Sequence, residues 1–527
     1  MRSGTSSQRL VGTLLVLNLL VATCSGESAV PLPTDSERWT YWSNDQIGEF
    51  VRQMQAKNPK HCKAYNVGQS VLGKQMWSLT VSTKPDAFPR PGVSPSSLSP
   101  SFLFIGGVHG DEPVGRQLMI YLAEELCLGA GRSDADPEIG AILAGGTVHL
   151  LFAMNPDGFD LRKRGNANDV DLNRNFPDPI KEPRFPELTG KEEPETIALM
   201  NYIDLLGNSL VGATHLHGGA LVMVVPFDGN RDGTRSPNPT PDNELYLYLA
   251  KRYVEVQPEM AASTGIGADE GLFQNGIIQG SSWYPLWGGL QDFFYLKNKV
   301  YFTTVEMSDN KWPSQSTLPS LWSQHRPSMY AYMKAHLEQG LTVQVDFPPG
   351  SKEESVLVRM LNPEMGSPVE FRSKTTHSVH YPVPAGNYSL RVEWRSQEVS
   401  EGVTLAGEVR PGERTTLRAE KPSEPPTSAG GGARGGGAAA PRGEGAQSRM
   451  RRGGSGKGGV AVSAVENTST TPGPNEPKPT MFPYVKLFSG IVIMGLPCLG
   501  YRYRSSFARG RASRSHLRSR RGLSHVV

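Results

Sequence analysis

Two histidines and one glutamate in this chain have the residue types and spacing of a metal site. His109 and Glu112 are three residues apart, and His217 follows about a hundred residues later. Two imidazoles and a carboxylate are the protein ligands of many catalytic zinc ions, which keep a fourth coordination position open for water. A His-x-x-Glu pair occurs often by chance in solvated loops. The pair therefore gains meaning only from the elements that position it.

The flanking sequence predicts strand-to-helix turns at these positions. Ser101–Val108 is a short apolar run with two glycines near its end, which indicates a buried strand. Pro113 stands where a helix would begin, and apolar residues recur at helical spacing over Val114–Leu126. Ser209–Leu216 predicts a second strand, which ends at the distant histidine. Because open α/β sheets bind ligands at the carboxyl ends of their strands, we expect the three side chains to meet there.

Two further segments supply charged groups. Residues 164–178 contain arginines and asparagines that can bind a carboxylate through paired hydrogen bonds. Taken in isolation, this segment is better explained as a polar loop capped by its own side chains. Lys299–Met307 predicts a strand with one carboxylate, Glu306. A lone glutamate in an apolar strand is costly to bury, but a raised pKa beside a metal site would suit a general base.

Seven short blocks follow one another in order along roughly residues 38–420. The blocks are His109–Glu112, Asn155–Gly158, Asp171–Asp178, Leu216–Gly219, Trp283–Tyr284, Gly288–Asp292 and Val305–Ser308. Together they resemble the zinc metallocarboxypeptidases (family M14), and within them the regulatory subfamily that includes carboxypeptidases D, E, M and N. The resemblance implies an α/β fold with a mixed sheet over residues 38–338. Alternating residues over 340–421 predict a small antiparallel β-sandwich, which resembles the transthyretin-like domain of the same subfamily.

The resemblance implies a role for each candidate side chain. Three residues would bind one zinc ion: His109, Glu112 and His217. Three would hold the terminal carboxylate of the substrate: Asn173, Arg174 and Tyr295. Glu306 would be the general base and acid, Arg164 would stabilise the developing oxyanion, and Asp171 would orient a ligating imidazole. His215 is predicted to belong to the strand and not to the ligand set.

These roles describe a zinc-dependent exopeptidase. Water activated at the zinc would attack the last peptide bond, with Glu306 taking and returning its proton. The resemblance places Asp228 in the pocket for the terminal side chain, with Gln291 as a polar helper, so we expect release of C-terminal Arg or Lys. The family usually has Asn-Tyr before this Pro-Phe-Asp block. Here the pair is Val224-Val225, which affects the shape of the pocket but not its charge. A simple turn residue is the alternative interpretation of Asp228.

Two other functions compete with that of an active peptidase. A catalytically inactive relative could serve as a binding or adhesion receptor, but inactive members typically lack a metal ligand or the base. Here the ligand set is complete, and Arg174 and Glu306 are present. A zinc amidohydrolase acting on small acylated amino acids could share the fold. The predicted β-sandwich, a secretory route and Asp228 favour a peptide substrate instead.

The two ends of the chain predict secretion and a membrane anchor. Residues 1–26 have the basic, apolar and small-residue order of a signal peptide. Residues 422–480 are rich in Gly, Ala, Ser and Pro and predict a disordered stalk. Residues 482–501 are apolar enough to span a bilayer, and the basic segment 502–527 would stay in the cytoplasm. We therefore expect a type I membrane protein of the secretory pathway or plasma membrane, with its catalytic domain lumenal or extracellular.

Several modifications fit that route. An oxidising compartment permits a bridge between Cys62 and Cys127, although only the number of cysteines supports it. Asn387 and Asn467 begin N-glycosylation triplets. The basic run ending at Arg452 resembles the recognition site of furin-type convertases, and cleavage there would release a soluble enzyme.

The net charge of +3 does not indicate nucleic-acid binding. Much of the excess positive charge lies in the tail, where residues 502–521 contain eight arginines, and no base-stacking or groove-reading motif accompanies them. The expected partners are peptides or proteins that end in Arg or Lys, together with the membrane. We expect the chain to be a monomer.

Overall fold

The computed structural model describes residues 37–90, 99–178, 180–181, 188–347, 354–362, 368–373, 375–395 and 400–421. Outside these ranges lie the predicted signal peptide, stalk, apolar span and basic tail, together with Asn467 and the basic run ending at Arg452. Within these ranges, no helix combines the length and the apolar character needed to cross a membrane.

One mixed sheet forms the centre of the region before residue 340. Its strands are β1 (Cys62–Gln69), β2 (Gln75–Val81), β3 (Ser101–Gly106), β4 (Thr147–Leu151), β5 (Leu210–His217), β6 (Ala220–Val225), β7 (Ile277–Gln279) and β8 (Tyr301–Ser308). Their order across the sheet is β1-β2-β4-β3-β5-β8-β6-β7. The central neighbours β4, β3, β5 and β8 are parallel, whereas β1 with β2, β2 with β4 and β6 with β8 are antiparallel. The expected mixed-sheet α/β fold is confirmed.

Helices flank this sheet. Among the described residues they are α1 (Asn44–Lys57), α2 (Val114–Gly129), α3 (Pro137–Gly145), α4 (Pro156–Leu161), α5 (Pro194–Leu206), α6 (Asn243–Val254), α7 (Pro258–Ala261), α8 (Gly280–Trp283), α9 (Leu290–Asn298) and α10 (Leu318–Leu337). The longest, α10, contacts α6, α3 and α2.

Two hydrophobic clusters cover the opposite faces of β3. Phe102 and Phe104 belong to one cluster with residues of α1, α2 and α10, whereas Leu103 and Ile105 belong to the other with residues of α5 and α9. Successive side chains of a strand point to opposite faces, so this strand is buried on both sides. Burial on both faces explains why its sequence is a continuous apolar run.

The elements around the metal candidates lie close to their predicted bounds. β3 ends at Gly106 and not at Val108, because Gly107 has a φ of 59° and thus a left-handed backbone that a strand does not contain. α2 begins where predicted and continues a little further. β5 and β8 lie one or two residues further along the chain than predicted.

A disulfide joins the start of β1 to the last turn of α2. Cys62 and Cys127 are bonded and fully buried, with their Cα atoms 5.9 Å apart. The sequence left this bridge open, because only the fold brings the two elements together. Closing a loop of 65 residues in the unfolded chain stabilises the folded state by about 4 kcal/mol in the loop-entropy model.

The region after residue 340 consists of two small sheets. Its strands are β9 (Gly340–Asp346), β10 (Glu354–Asn362), β11 (Val369–Ser373), β12 (His377–Tyr381), β13 (Gly386–Arg395), β14 (Ser400–Val409) and β15 (Arg414–Glu420). One sheet has the order β11-β10-β13-β14 and the other β12-β9-β15. The pairing of β15 with β9 is parallel, which departs from the expected antiparallel arrangement. These strands are the first and last of the region, so a long connection is available to bring them into parallel register.

Candidate metal centre and substrate cavity

Three potential ligand atoms converge at the carboxyl ends of β3 and β5. Glu112 Oε2 lies 2.9 Å from His109 Nδ1 and 2.7 Å from His217 Nδ1, and the two Nδ1 atoms are 2.9 Å apart. All three side chains are buried. Ligand atoms about 2.0–2.1 Å from a tetrahedral zinc ion are about 3.3 Å from one another. The cluster therefore fits zinc to within a few tenths of an ångström.

The sheet and one close backbone contact bring these residues together. Parallel pairing of β5 with β8 places His217 directly beside Glu306. The turn that carries His109 packs against the backbone at Gly158, where a Cβ on Gly110 would come within 1.9 Å of a carbonyl carbon. Only glycine permits this approach. The Asn155–Gly158 block thus supports the turn that carries His109. The Asn155 side chain also caps its own helix by accepting from the Gly158 N–H.

Each of the two imidazole rings has a different partner on its other nitrogen. His109 Nε2 lies 3.0 Å from Asp171 Oδ1, and Arg164 Nε donates to the second oxygen of that carboxylate at 2.9 Å. Burial acts to raise the pKa of Asp171, but the hydrogen bond to His109 and the nearby arginines outweigh it and hold the pKa below its usual range. His217 Nε2 lies 2.8 Å from His215 Nδ1. Both rings therefore present Nδ1 to the cluster, and His215 belongs to β5 as predicted.

The second oxygen of Glu112 faces cations. Lys311 Nζ donates to Glu112 Oε1 at 2.5 Å and Arg164 Nη1 at 3.3 Å, which leaves Oε2 directed at the two imidazoles. Burial acts to raise the pKa of Glu112, but the charges and hydrogen bonds of the histidines hold it well below its usual value. Sequence reasoning missed Lys311, whose only local signal is its place three residues after the Val305–Ser308 block.

Glu306 is the buried carboxylate predicted as the base. It lies on β8 beside the metal cluster, and its Oε2 has no hydrogen-bond partner within the described part of the chain. Burial raises its pKa well above the ordinary value, and the charge of Glu112 adds to this effect. The group is thus held ready to accept a proton.

A cavity beside the cluster is lined by both of its histidines and by the base. Its lining residues are His109, Arg164, Asn173, His217, Val224, Asp228, Gly280, Trp283, Tyr284, Leu286, Thr304 and Glu306. Six of the predicted site residues therefore share one cavity with a tyrosine and a threonine to which the sequence assigned no role. Arg174 is not among the lining residues. Its Nη1 donates to the Asn173 carbonyl at 2.8 Å, and its guanidinium remains partly exposed.

Two buried acids lie at the Asp228 side of the cavity. Gln291 Nε2 donates to Asp228 Oδ1 at 2.6 Å, as a polar helper would. The backbone N–H groups of Asp228 and Gly229 donate to Asp292 at 2.9 and 2.8 Å. Burial raises the pKa of Asp228 to about 7, although Arg174 and Gln291 act to lower it, and burial together with Asp228 raises the pKa of Asp292 well above normal. Neither acid forms an ion pair with a described residue.

The role expected for Tyr295 does not fit its position. Its side chain is 1% exposed, and its hydroxyl donates to Asp242 Oδ2 at 2.8 Å in the interior. Tyr295 lies one helical turn after Gln291, so the face of α9 that buries Gln291 buries this tyrosine too. Tyr284 is 43% exposed and lines the cavity. It belonged to the Trp283–Tyr284 block, which was the signal that could have identified it.

Comparison with known proteins agrees with this geometry. The sequence model of the zinc carboxypeptidase family, peptidase M14, matches residues 47–328. Carboxypeptidase SOL1 of Arabidopsis thaliana is 35% identical over 311 residues, which cover 59% of this chain and 59% of that protein. Human carboxypeptidase D is 31% identical over 349 residues, 64% of this chain and 24% of its own length. Mouse carboxypeptidase M is 31% identical over 365 residues, 67% of this chain and 77% of its own length. The chain thus spans less than two thirds of the length of the first two relatives.

Proposed function

The chain belongs to the zinc carboxypeptidase family, and from this premise we propose that it is an exopeptidase that releases C-terminal Arg or Lys from secreted or extracellular peptides and proteins. One observation carries the proposal. A single cavity is lined by both histidines of the three-residue metal cluster, by the buried acid Asp228, and by Glu306, whose Oε2 has no partner among the described residues.

His109, Glu112 and His217 would hold the zinc ion. When bound, zinc supplies Lewis acidity to the scissile carbonyl and to water. Asp171 and His215 would keep each ring nitrogen directed at the ion. Hydrogen-bond partners of this kind are commonly as important for metal binding as the ligands themselves.

Glu306 would move the proton of the reaction. Its raised pKa and its free oxygen allow it to take a proton from the attacking water and to return that proton to the leaving amine. Arg164 lines the cavity beside the metal cluster, where its guanidinium would stabilise the negative charge that develops on the carbonyl oxygen.

The terminal carboxylate of the substrate would be bound by Asn173, Arg174 and Tyr284. Arg174 would swing from the Asn173 carbonyl to pair with the carboxylate through its planar guanidinium. An internal peptide segment offers no carboxylate at this point, so it would leave the arginine without its partner. This difference favours cleavage at the end of a chain.

The identity of the released residue would depend on Asp228. A carboxylate in a buried pocket without a cation favours a substrate that brings one, and Arg and Lys side chains are long enough to do so. Gln291 would hold the carboxylate in place through its hydrogen bond to Oδ1.

The remaining parts of the chain are included in the proposal. Residues 38–338 would be the catalytic domain and 340–421 a transthyretin-like β-sandwich, supported by the two small sheets. Asn387 is exposed on β13, as a glycosylation acceptor needs to be. The signal peptide, the stalk with its cleavage site after Arg452, and the type I membrane anchor remain proposals from the sequence.

The test compares two matched peptides, one ending in Arg and one in Leu, with the full chain produced by secretory expression. Wild type is assayed beside Glu306→Gln, with and without a zinc chelator. We expect chelator-sensitive release of Arg and little release of Leu, both lost in the variant. No turnover of either peptide by zinc-loaded wild type would contradict the proposal and favour a receptor or an amidohydrolase.

A further inference from the structure

An unbroken series of buried hydrogen bonds leads away from one metal ligand. His217 Nε2 lies 2.8 Å from His215 Nδ1, and the other nitrogen of His215 is hydrogen-bonded to Thr304 Oγ1. Thr304 Oγ1 donates to Gln291 Oε1 at 2.8 Å, and Gln291 Nε2 donates to Asp228 Oδ1 at 2.6 Å. We call the three middle residues, His215, Thr304 and Gln291, the relay.

The chemistry of the last acceptor fixes the direction of every bond. The ionised Asp228 carboxylate only accepts, so Gln291 presents its N–H₂ to it and its oxygen to Thr304. The Thr304 hydroxyl then donates to that oxygen and accepts from His215 Nε2–H. His215 Nδ1 is left as an acceptor, and it receives the Nε2–H of His217. The Nδ1 lone pair of His217 is therefore the one that faces the metal cluster.

This arrangement does for His217 what Asp171 does for His109. Asp171 is a partly exposed carboxylate that accepts from a ring nitrogen directly. The relay reaches the same result through neutral side chains, and each of its members is buried. A core histidine that merely satisfies its hydrogen bonds would not need to share them with both a metal ligand and the acid of the side-chain pocket.

We propose that His215 is a positioning residue that holds the ring of His217 towards the metal, and that the relay joins the metal centre and the Asp228 pocket into one mechanical unit. The inference rests on the proposed function for the meaning of the pocket, but not for the metal. A side chain seated against Asp228 would stabilise the alignment of Gln291, Thr304 and His215. The binding of an Arg or Lys side chain would thus help to hold the ring of His217 in place. It would therefore affect kcat as well as KM.

The first experiment measures zinc affinity and needs no substrate. His215→Asn places an amide oxygen where Nδ1 accepts, whereas His215→Leu has no acceptor. Equilibrium dialysis of the full chain against zinc buffers, with bound metal counted by atomic emission, should give a Kd about 10–100-fold weaker for His215→Leu. For His215→Asn the change should stay below about threefold. Wild-type affinity in the leucine variant, or equal loss in both, would overturn the positioning role.

The second experiment tests the connection to Asp228. Thr304→Val removes the central hydroxyl at nearly constant shape, and Asp228→Asn removes the charge at the end of the relay. For an Arg-ending peptide, Thr304→Val should lower kcat about tenfold in the wild-type background and less than about threefold in the Asp228→Asn background. Independent effects that multiply would overturn the connection. The same cycle measured on zinc Kd keeps the test valid if peptide cleavage itself fails.

Thr303→Val is the matched control. The Thr303 hydroxyl is also buried on β8 but bonds Tyr332 and Thr214 outside the relay. It should leave zinc Kd and kcat within about twofold, because no ligand depends on it. A loss equal to that of Thr304→Val would show that any buried hydroxyl on this strand matters equally, which would contradict the relay. If His215→Leu does not fold, judged by circular dichroism, the Thr304 pair carries the test.

Discussion

The metal centre and the side-chain pocket share one cavity, but they differ in whether their carboxylates have cationic partners. At the metal centre, Glu112 contacts Arg164 and Lys311, and Asp171 contacts Arg164 and His109. At the pocket, Asp228 and Asp292 are both buried, and the described residues provide them with amide donors but no ion pair.

This difference separates a preformed site from one that is completed by its ligand. The charges of the metal centre are paired within the chain, so they are balanced before a substrate binds. A buried carboxylate without a cation is costly and responds by a raised pKa. A cationic side chain would remove that cost on binding. On the proposed function, the pocket would therefore select a cationic side chain because the described residues give its acids no counter-ion.

The largest expected effect is the loss of activity when the carboxylate beside the metal centre is removed. Glu306→Gln keeps the size of the side chain but removes the base, so kcat for an Arg-ending peptide should fall by about 10³-fold. Zinc content should not change, since Glu306 is not a ligand. Steady-state kinetics and metal analysis on the same sample give both values. A variant with wild-type kcat would remove Glu306 from the mechanism.

The next largest effect is a loss of substrate selectivity when the charge of the Asp228 pocket is removed. Asp228→Asn should reduce the ratio of kcat/KM for Arg-ending over Leu-ending peptides by about 100-fold, because a charge-assisted contact is lost. The same change should raise the unfolding temperature of the metal-free protein at pH 8, since it removes a costly buried charge. Asp292→Asn serves as the contrast. Asp292 accepts one backbone N–H on each carboxylate oxygen, and in the variant an amide nitrogen replaces one of these oxygens. One buried N–H therefore loses its acceptor, so this variant should unfold at a lower temperature. Equal stability changes in the two variants would contradict the comparison.

A third change tests whether pairing within the chain governs the metal centre. Asp171→Asn keeps an acceptor for His109 but removes the charge, so the zinc Kd should weaken about tenfold. Selectivity between Arg-ending and Leu-ending peptides should remain as in wild type once zinc is saturating. Dialysis and competition kinetics measure the two quantities. A loss of selectivity at saturating zinc would show that the two halves are not separate in this respect.

The pH dependence of binding should follow the pocket. Because the pKa of Asp228 is raised to about 7, the carboxylate is mostly neutral at pH 5. If only the ionised carboxylate binds the cation, KM for an Arg-ending peptide should therefore fall by up to about 100-fold between pH 5 and 8, whereas KM for a Leu-ending peptide should not follow this curve. A pH-independent ratio of the two KM values would contradict the role of Asp228.

The same raised pKa carries a stability consequence of opposite sign. An acid whose pKa is higher in the folded state stabilises the fold below its unfolded value of 3.8, and this contribution is lost as the pH rises through about 7. The unfolding temperature of the metal-free protein should thus decline between about pH 4 and 7, and less so in Asp228→Asn. Thermal unfolding followed by circular dichroism at a series of pH values measures this.

The smallest effect concerns the two tyrosines. Tyr295→Phe should change kcat/KM by less than about twofold while costing roughly 1 kcal/mol of stability, since it loses an internal hydrogen bond to Asp242. Tyr284→Phe should do the reverse, with a change in kcat or KM and little change in stability. Kinetics and denaturant unfolding of both variants check the assignment. Catalytic loss in Tyr295→Phe without loss of stability would restore the original prediction.

Sequence reasoning succeeded where the signal was local. The elements that hold His109, Glu112 and His217 were predicted from the apolar run of β3, the helical spacing of α2 and the ordered blocks. These signals depend only on residues that are close together in the sequence. Because open α/β sheets bind ligands at the carboxyl ends of their strands, these side chains were also predicted to meet.

It failed where a side chain depends on a distant partner. Tyr295 turns inward to Asp242, 53 positions away in the sequence, and Lys311 reaches Glu112 across 199 positions. No periodicity encodes such contacts. The bridge between Cys62 and Cys127 remained open for the same reason, since only the docking of α2 beside β1 brings the sulfurs together.

The position of His215 two residues before His217 has a consequence for preparing the protein. Alternate residues of a strand share a face, so a shift of β5 by a single residue against its neighbours would carry both histidines to the wrong side of the sheet together. A chain misfolded in this way could not retain zinc. The zinc-to-protein ratio of a purified batch should therefore count only its correctly assembled molecules. It would leave out register-shifted chains even where fluorescence or circular dichroism would score them as native.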